Sequence, residues 1–163
     1  MKKYQPILLL LFVVAALVLA AFGSMTKSSN GNASIGITIG SIGFDGVLKM
    51  TADKAKLSDS FVEQFKMLKV DNMRLYKNDK KLIVLEVSGP LVEAGKHVKI
   101  ARVLRDVNGE IIMMFSGCTQ SCTSVAPCDG CSLNMSGDCS GSCACTAGFG
   151  GSCTHTVTSG GIK

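Results

Sequence analysis

The chain has no tryptophan and only two tyrosines among its 163 residues. A recognition face built on several large aromatic anchors is therefore not expected. Histidine is as scarce: only His97 and His155 occur, and neither lies in a nucleophile or metal-ligand motif. His97 reads as an ordinary strand-end residue. No phosphate loop or dinucleotide fingerprint is present, and no pair of carboxylates has a suggestive spacing. The expectation is a non-enzymatic protein without a cofactor. Cysteine is missing from the first 117 residues. The N-terminal apolar run is thus not followed by the thiol that a bacterial lipoprotein anchor requires. Charge of one sign is also lacking. The formal net charge is +5, and two of those charges are Lys2 and Lys3 at the extreme N-terminus. The remainder is too mild to argue for a nucleic-acid partner.

What is present begins with an export signal. Lys2 and Lys3 precede an uninterrupted run of apolar and small residues from Ile7 to Gly23, and Ala21-Phe22-Gly23 offers a cleavage site before Ser24. This is the layout of a secretory signal peptide. The rival reading is an uncleaved apolar helix that anchors the chain, with the lysines held in the cytoplasm. Both place residues 24 onward outside the cytosol, secreted or membrane-tethered. Contact with a membrane is expected only through this segment, if it is uncleaved. Residues 24–33, polar and small, read as a linker.

Residues 34–115 carry the pattern of a small antiparallel β domain of five or six strands with one short helix. Ile35, Ile37 and Ile39 alternate with Gly36, Thr38 and Gly40, a strand signal in which glycine marks close backbone approach. Ser60 and Glu63 form a capping box, and Phe61, Phe65 and Leu68 lie on one helical face. Met73–Tyr76 and Leu82–Val87 flank a polar turn, and Gly89-Pro90 is expected to end the second strand. Asn108-Gly109, between Val98–Leu104 and Ile111–Phe115, is the strongest hairpin signal in the chain. Lys77, Lys80, Lys81, Lys96, Lys99, Arg102 and Arg105 read as a solvated face or edge, with a polyanion-binding patch as the alternative. Residues 34–115 are expected to fold without the cysteine-rich residues C-terminal to them.

From Ser116 to Lys163 the composition changes to Ser, Gly, Thr and Cys. All eight cysteines lie here: Cys118, Cys122, Cys128, Cys131, Cys139, Cys143, Cys145 and Cys153. Few large apolar residues remain, so cross-links must order the segment if it is ordered. The expectation is a loop-rich module stapled by four disulfides, in keeping with export. Eight cysteines allow 105 pairings, so the connectivity is open. The separations from Cys118 to Cys139 and from Cys122 to Cys143 are both 21, and that from Cys131 to Cys153 is 22. Two repeated halves are therefore conceivable, although Cys128 and Cys145 do not match each other. Cys143-x-Cys145, Gly148-Phe149, Gly151 and Cys153 together resemble the C-terminal half of an epidermal-growth-factor-like module, with a final loop one residue short. That resemblance implies a spacer or binding unit.

Two rival readings use the same cysteines. Cys128-x2-Cys131 and Cys143-x-Cys145 are spacings that thiolate metal sites also use. Cys128-Asp-Gly-Cys131 has the spacing of a redox pair, but it lacks the βαβ context that activates one. The first reading is an exported, non-enzymatic protein that meets a protein or cell-surface partner through its cysteine-rich module. The alternative is an extracytoplasmic metal-binding or thiol-redox protein. Asn32-Ala-Ser34 and Asn134-Met-Ser136 are glycosylation sequons.

Overall fold

The computed structural model describes residues 36–93, 95–147 and 150–160. The expected signal or anchor segment and the expected linker lie outside them. Among the described residues no helix is long and apolar enough to cross a membrane. The order is β1 (Gly36–Ile42), β2 (Leu48–Met50), α1 (Lys54–Phe65), β3 (Asn72–Lys77), β4 (Ile83–Pro90), β5 (His97–Val107), β6 (Glu110–Met114), β7 (Cys118–Val125), β8 (Gly130–Met135), β9 (Gly141–Ala147) and β10 (Ser152–Ser159). Every strand pairing among the described residues is antiparallel.

β5 organises the sheet. One edge pairs with β4, which pairs in turn with β3. The other edge is shared. Val98–Arg102 pairs with β7, and Arg105–Val107 pairs with β6 across the Asn108-Gly109 turn. The sheet therefore forks. One branch continues from β7 to β10, the other from β6 through β1 to β2. Both Asn108 and Gly109 have positive φ, 56° and 85°, as a tight primed hairpin turn needs.

Strand alternation divides the interior into two cores. Ile83, Leu85, Val87, Val98, Ile100 and Leu104 point to one face, where they meet Leu57 and Phe61 of α1 and Ile39, Ile111 and Met113 of the β6–β1 branch. Val84 and Ala101 point to the other face, where they meet Cys122, Cys128, Cys131, Leu133 and Met135. The cover on this second face is the two-stranded β8–β9 hairpin. Because both faces are covered, Ile83–Val87 is buried at every position, a pattern familiar from strands covered on both sides.

The expected β-rich architecture with one helix is present, and several details differ. The helix starts earlier than the capping box implies. Asp53 is its N-cap, accepting from the Ala55 and Lys56 amides at 3.0 and 3.3 Å. Ser60 lies inside the helix and donates to the Lys56 carbonyl. The helix ends at Lys66, which adopts φ 52°, so Leu68 falls outside it and is exposed. Gly89 and Pro90 continue β4 rather than ending it, because the segment after α1 packs against them. A Cβ on Gly89 would collide with the Lys69 carbonyl oxygen.

The sheet runs across Ser116. All described residues from 36 onward belong to one compact unit. The disulfide-stapled segment carries four strands and the loops between them, and β7 extends the sheet begun before Ser116. Cys118, Gln120, Cys122 and Ser124 alternate with Thr119, Ser121, Thr123 and Val125 along β7, so polar residues on both sides hide the alternation that marks a strand in a mixed sequence. Arg102 fastens the junction. It is 1% exposed, and its Nη2 donates to the Met114 carbonyl at 2.7 Å and the Gly117 carbonyl at 3.1 Å. Burial lowers its pKa, against the opposing charge of Asp138. This arginine is thus not part of a solvated face.

Candidate functional site

The eight cysteines form four disulfides: Cys118–Cys139, Cys122–Cys143, Cys128–Cys145 and Cys131–Cys153. Three of them fasten the hairpin and its turn to the sheet: Cys118 and Cys122 lie on β7 and Cys153 on β10, while Cys139, Cys143 and Cys131 belong to the hairpin. The fourth ties the β7–β8 connection to β9. The constant separation of 21 residues now has a structural meaning. Cys118 and Cys122 lie four residues apart, as do their partners Cys139 and Cys143. The two segments therefore run in the same direction, one stacked over the other. The like-placed cysteines bond to each other rather than marking two repeated halves. Cys143, Cys145 and Cys153 all bond to cysteines outside the stretch that resembles a growth-factor-like module, so that stretch does not close a loop on itself.

Side chains from the sheet secure the hairpin further. Gln120 is fully buried. Its Nε2 lies within 3.1 Å of the Gly137, Asp138 and Ser140 carbonyls. Its Oε1 lies 3.1 Å from His155 Nε2, so that ring nitrogen carries the proton. Asn78, in the β3–β4 turn, donates to the Met135 carbonyl at 3.0 Å. Asn134 of the second sequon is exposed on β8; the first sequon lies outside the described residues.

Beside the hairpin the same sheet face carries a cluster of charge. The Glu86 side chain is only 5% exposed. Arg74 donates to it through Nε and Nη2, both at 3.1 Å, and the Tyr76 hydroxyl donates at 2.9 Å. Lys99 Nζ lies 3.8 Å away, and the Arg74 guanidinium sits 4.6 Å over the Tyr76 ring. Buried carboxylates persist only when paired and hydrogen-bonded in this way. Burial, then the hydrogen bond to Glu86 and that carboxylate's charge, push the Tyr76 phenol up to about 12. A phenol pKa raised by folding stabilises the fold below the unfolded-state value of roughly 10. That contribution is lost as pH rises through the folded value of about 12. In an ultraviolet titration Tyr76 should ionise well after a free tyrosine, and Glu86→Gln should bring it down. A wild-type phenol that ionises at the ordinary value would contradict this description.

Between this cluster and the hairpin lies a cleft of about 240 Å³, lined by Ser88, His97, Lys99, Asp129, Cys122 and Cys131 among others. Ser88, His97 and Asp129 share it, but no hydrogen bond among the described residues joins them into a relay. Cys122 and Cys131 bring two of the disulfides to its wall. Their four sulfurs, from Cys122, Cys143, Cys131 and Cys153, all lie within 4.8 Å of one another, and Cys128, Cys145 and Cys153 form an adjoining trio.

Sequence reasoning located the cysteines but not Gln120, Glu86 or the cleft. One signal was available for Glu86: it is the single charge inside the apolar run Ile83–Val87. No comparable signal marks Gln120, whose acceptors lie 17 to 20 residues away. No protein-family model, curated protein or solved structure matches the chain.

Four intramolecular disulfides point to an oxidising, extracytoplasmic setting.

Proposed function

We propose that this is an exported, non-enzymatic protein that presents a disulfide-stapled β scaffold to a protein partner outside the cytosol. The observation that carries the reading is the β1–β2 tip. Phe44 there is fully exposed, and Val47 is 60% exposed. The tip is held rigidly: Gly43 and Val47 are joined by a backbone hydrogen bond, Gly46 has φ 76°, and Asp45 Oδ1 accepts from the Val47 amide at 3.0 Å. An exposed aromatic on a preorganised turn loses little conformational entropy on binding. It is the kind of residue that anchors an interface. The chain is poor in large aromatics, so one such anchor carries weight. Lys77, Lys80 and Lys81 lie in or beside a different turn and belong to the solvated surface.

A photoreactive phenylalanine at position 44, in the full chain expressed in its own host, should give a covalent adduct with one extracytoplasmic protein. The same group at Lys80 should not. Phe44→Ser should abolish co-purification of that protein without changing thermal stability. Adducts identical at both positions, or none at position 44, would reject the tip as the contact.

A further inference from the structure

The Phe44 contact belongs to the oxidised protein; the sulfur quartet supports a second property, in the reduced state. A tetrahedral tetrathiolate centre with zinc–sulfur bonds of about 2.3 Å places its sulfurs about 3.8 Å apart. The Cys122–Cys143 and Cys131–Cys153 disulfides lie side by side, with all four Sγ atoms within 4.8 Å of one another, so on reduction the sulfurs within each pair need only part to reach that spacing. We propose that reduction of Cys122–Cys143 and Cys131–Cys153 converts these four residues into a tetrathiolate site for a zinc-type divalent ion.

The placement does not depend on the disulfides alone. β7 and β10 are paired over eight residues, with Cys122 opposite His155 and Cys153 opposite Ser124. That ladder holds Cys122 and Cys153 on one sheet edge. β8 and β9 are paired from Gly130 to Met135, with Cys131 opposite Cys145 and Leu133 opposite Cys143. That ladder holds Cys131 and Cys143 on one hairpin. After reduction the β7–β10 ladder keeps two ligands in place, and the ion has to draw the hairpin that carries the other two back onto the sheet. Metal binding would then close the hairpin, as ligand binding and folding are coupled in small metal-ordered domains.

The cleft supplies access, since Cys122 and Cys131 line it. Lys99 lines it too, and a nearby ammonium favours thiolate over thiol. The chemistry balances with a phosphine as reductant. Each disulfide takes up two electrons and two protons to become two thiols, and each phosphine gains one oxygen from water. Binding the ion then releases one proton from each of the four thiols.

The test uses the exported full chain, reduced with a water-soluble phosphine under inert gas and titrated with Co²⁺ as a spectroscopic probe. The expected result is one Co²⁺ per chain with the intense visible bands of tetrahedral thiolate coordination, displaced by Zn²⁺. Protease protection of the hairpin should return on adding Zn²⁺. The double variant Cys118→Ser/Cys139→Ser should keep the bands, because that disulfide is outside the quartet. The double variant Cys131→Ser/Cys153→Ser should lose them, with affinity falling at least a hundredfold. The proposal is overturned if the reduced chain shows no tetrahedral bands, binds without defined stoichiometry, or keeps its bands in Cys131→Ser/Cys153→Ser. None of these outcomes bears on the Phe44 tip, which is tested in oxidised protein.

Discussion

A chain ending at Phe115 is expected to show no cooperative thermal transition. This reverses what residues 34–115 suggest in isolation, and the reason lies in β5. Truncation removes β7, so the Val98–Arg102 edge loses its hydrogen-bonding partner. It removes the hairpin, so Val84 and Ala101, now at most 1% exposed, face water. It also removes the Gly117 carbonyl that Arg102 uses, loosening a buried cation. A hydrogen bond to a charged group contributes about 1.5–3 kcal/mol. Stripping cover from Val84 alone costs about 1.5–3 kcal/mol. These terms together reach the lower end of the entire stability of a small domain, about 5–15 kcal/mol. Calorimetry on the fragment is the check. A sharp transition near that of the intact protein would show that the first core suffices.

Reduction of the intact disulfide-bonded protein should open the hairpin and leave the sheet standing. Each disulfide closes a loop of 17 to 22 residues, and bonds of that span contribute about 3 kcal/mol each. Against this, Leu133 and Met135 are the only large apolar side chains that the hairpin buries among the described residues. Once the cross-links are gone, those two contacts and the Gln120 and Asn78 hydrogen bonds do not hold a two-stranded sheet in place. β7 and β10 stay because their backbone ladder does not depend on sulfur. Limited proteolysis after reduction should therefore cut between about residues 126 and 151, with the remaining sheet resistant. A chelator without reductant should change nothing. Cleavage induced by the chelator alone, or resistance of the hairpin under reduction, would contradict this.

The parts legible in the sequence were those governed by short-range rules. The Asn108-Gly109 turn, the β3–β4 hairpin and the amphipathic Phe61 and Phe65 positions all come from local pattern. The parts missed depend on distant partners. Continuous burial of Ile83–Val87 requires a cover on both faces, and the second cover comes from a segment that looks too polar to have a core. It needs none of its own. Its cysteines serve as the packing, since paired sulfur is compact and apolar, and they complete a core begun fifty residues earlier. The Arg102 clamp was invisible for the same reason: nothing near Arg102 in sequence predicts that its acceptors lie at Met114 and Gly117. Within the candidate site, cysteine spacing held more than it first conveyed. Equal separations of 21 residues suggested repeats, whereas they reflect two segments stacked in the same direction.

The cysteine-rich segment thus completes the β domain through four specific disulfides, three of them fastening hairpin to sheet. Peptide mapping by mass spectrometry tests this pairing without intermediaries. It is done without reduction, on protein taken from its native compartment with thiols blocked at lysis. No cysteine should carry the blocking group, and the linked peptides should be Cys118–Cys139, Cys122–Cys143, Cys128–Cys145 and Cys131–Cys153. Free thiols carrying a bound metal, or pairings confined within the hairpin, would contradict it.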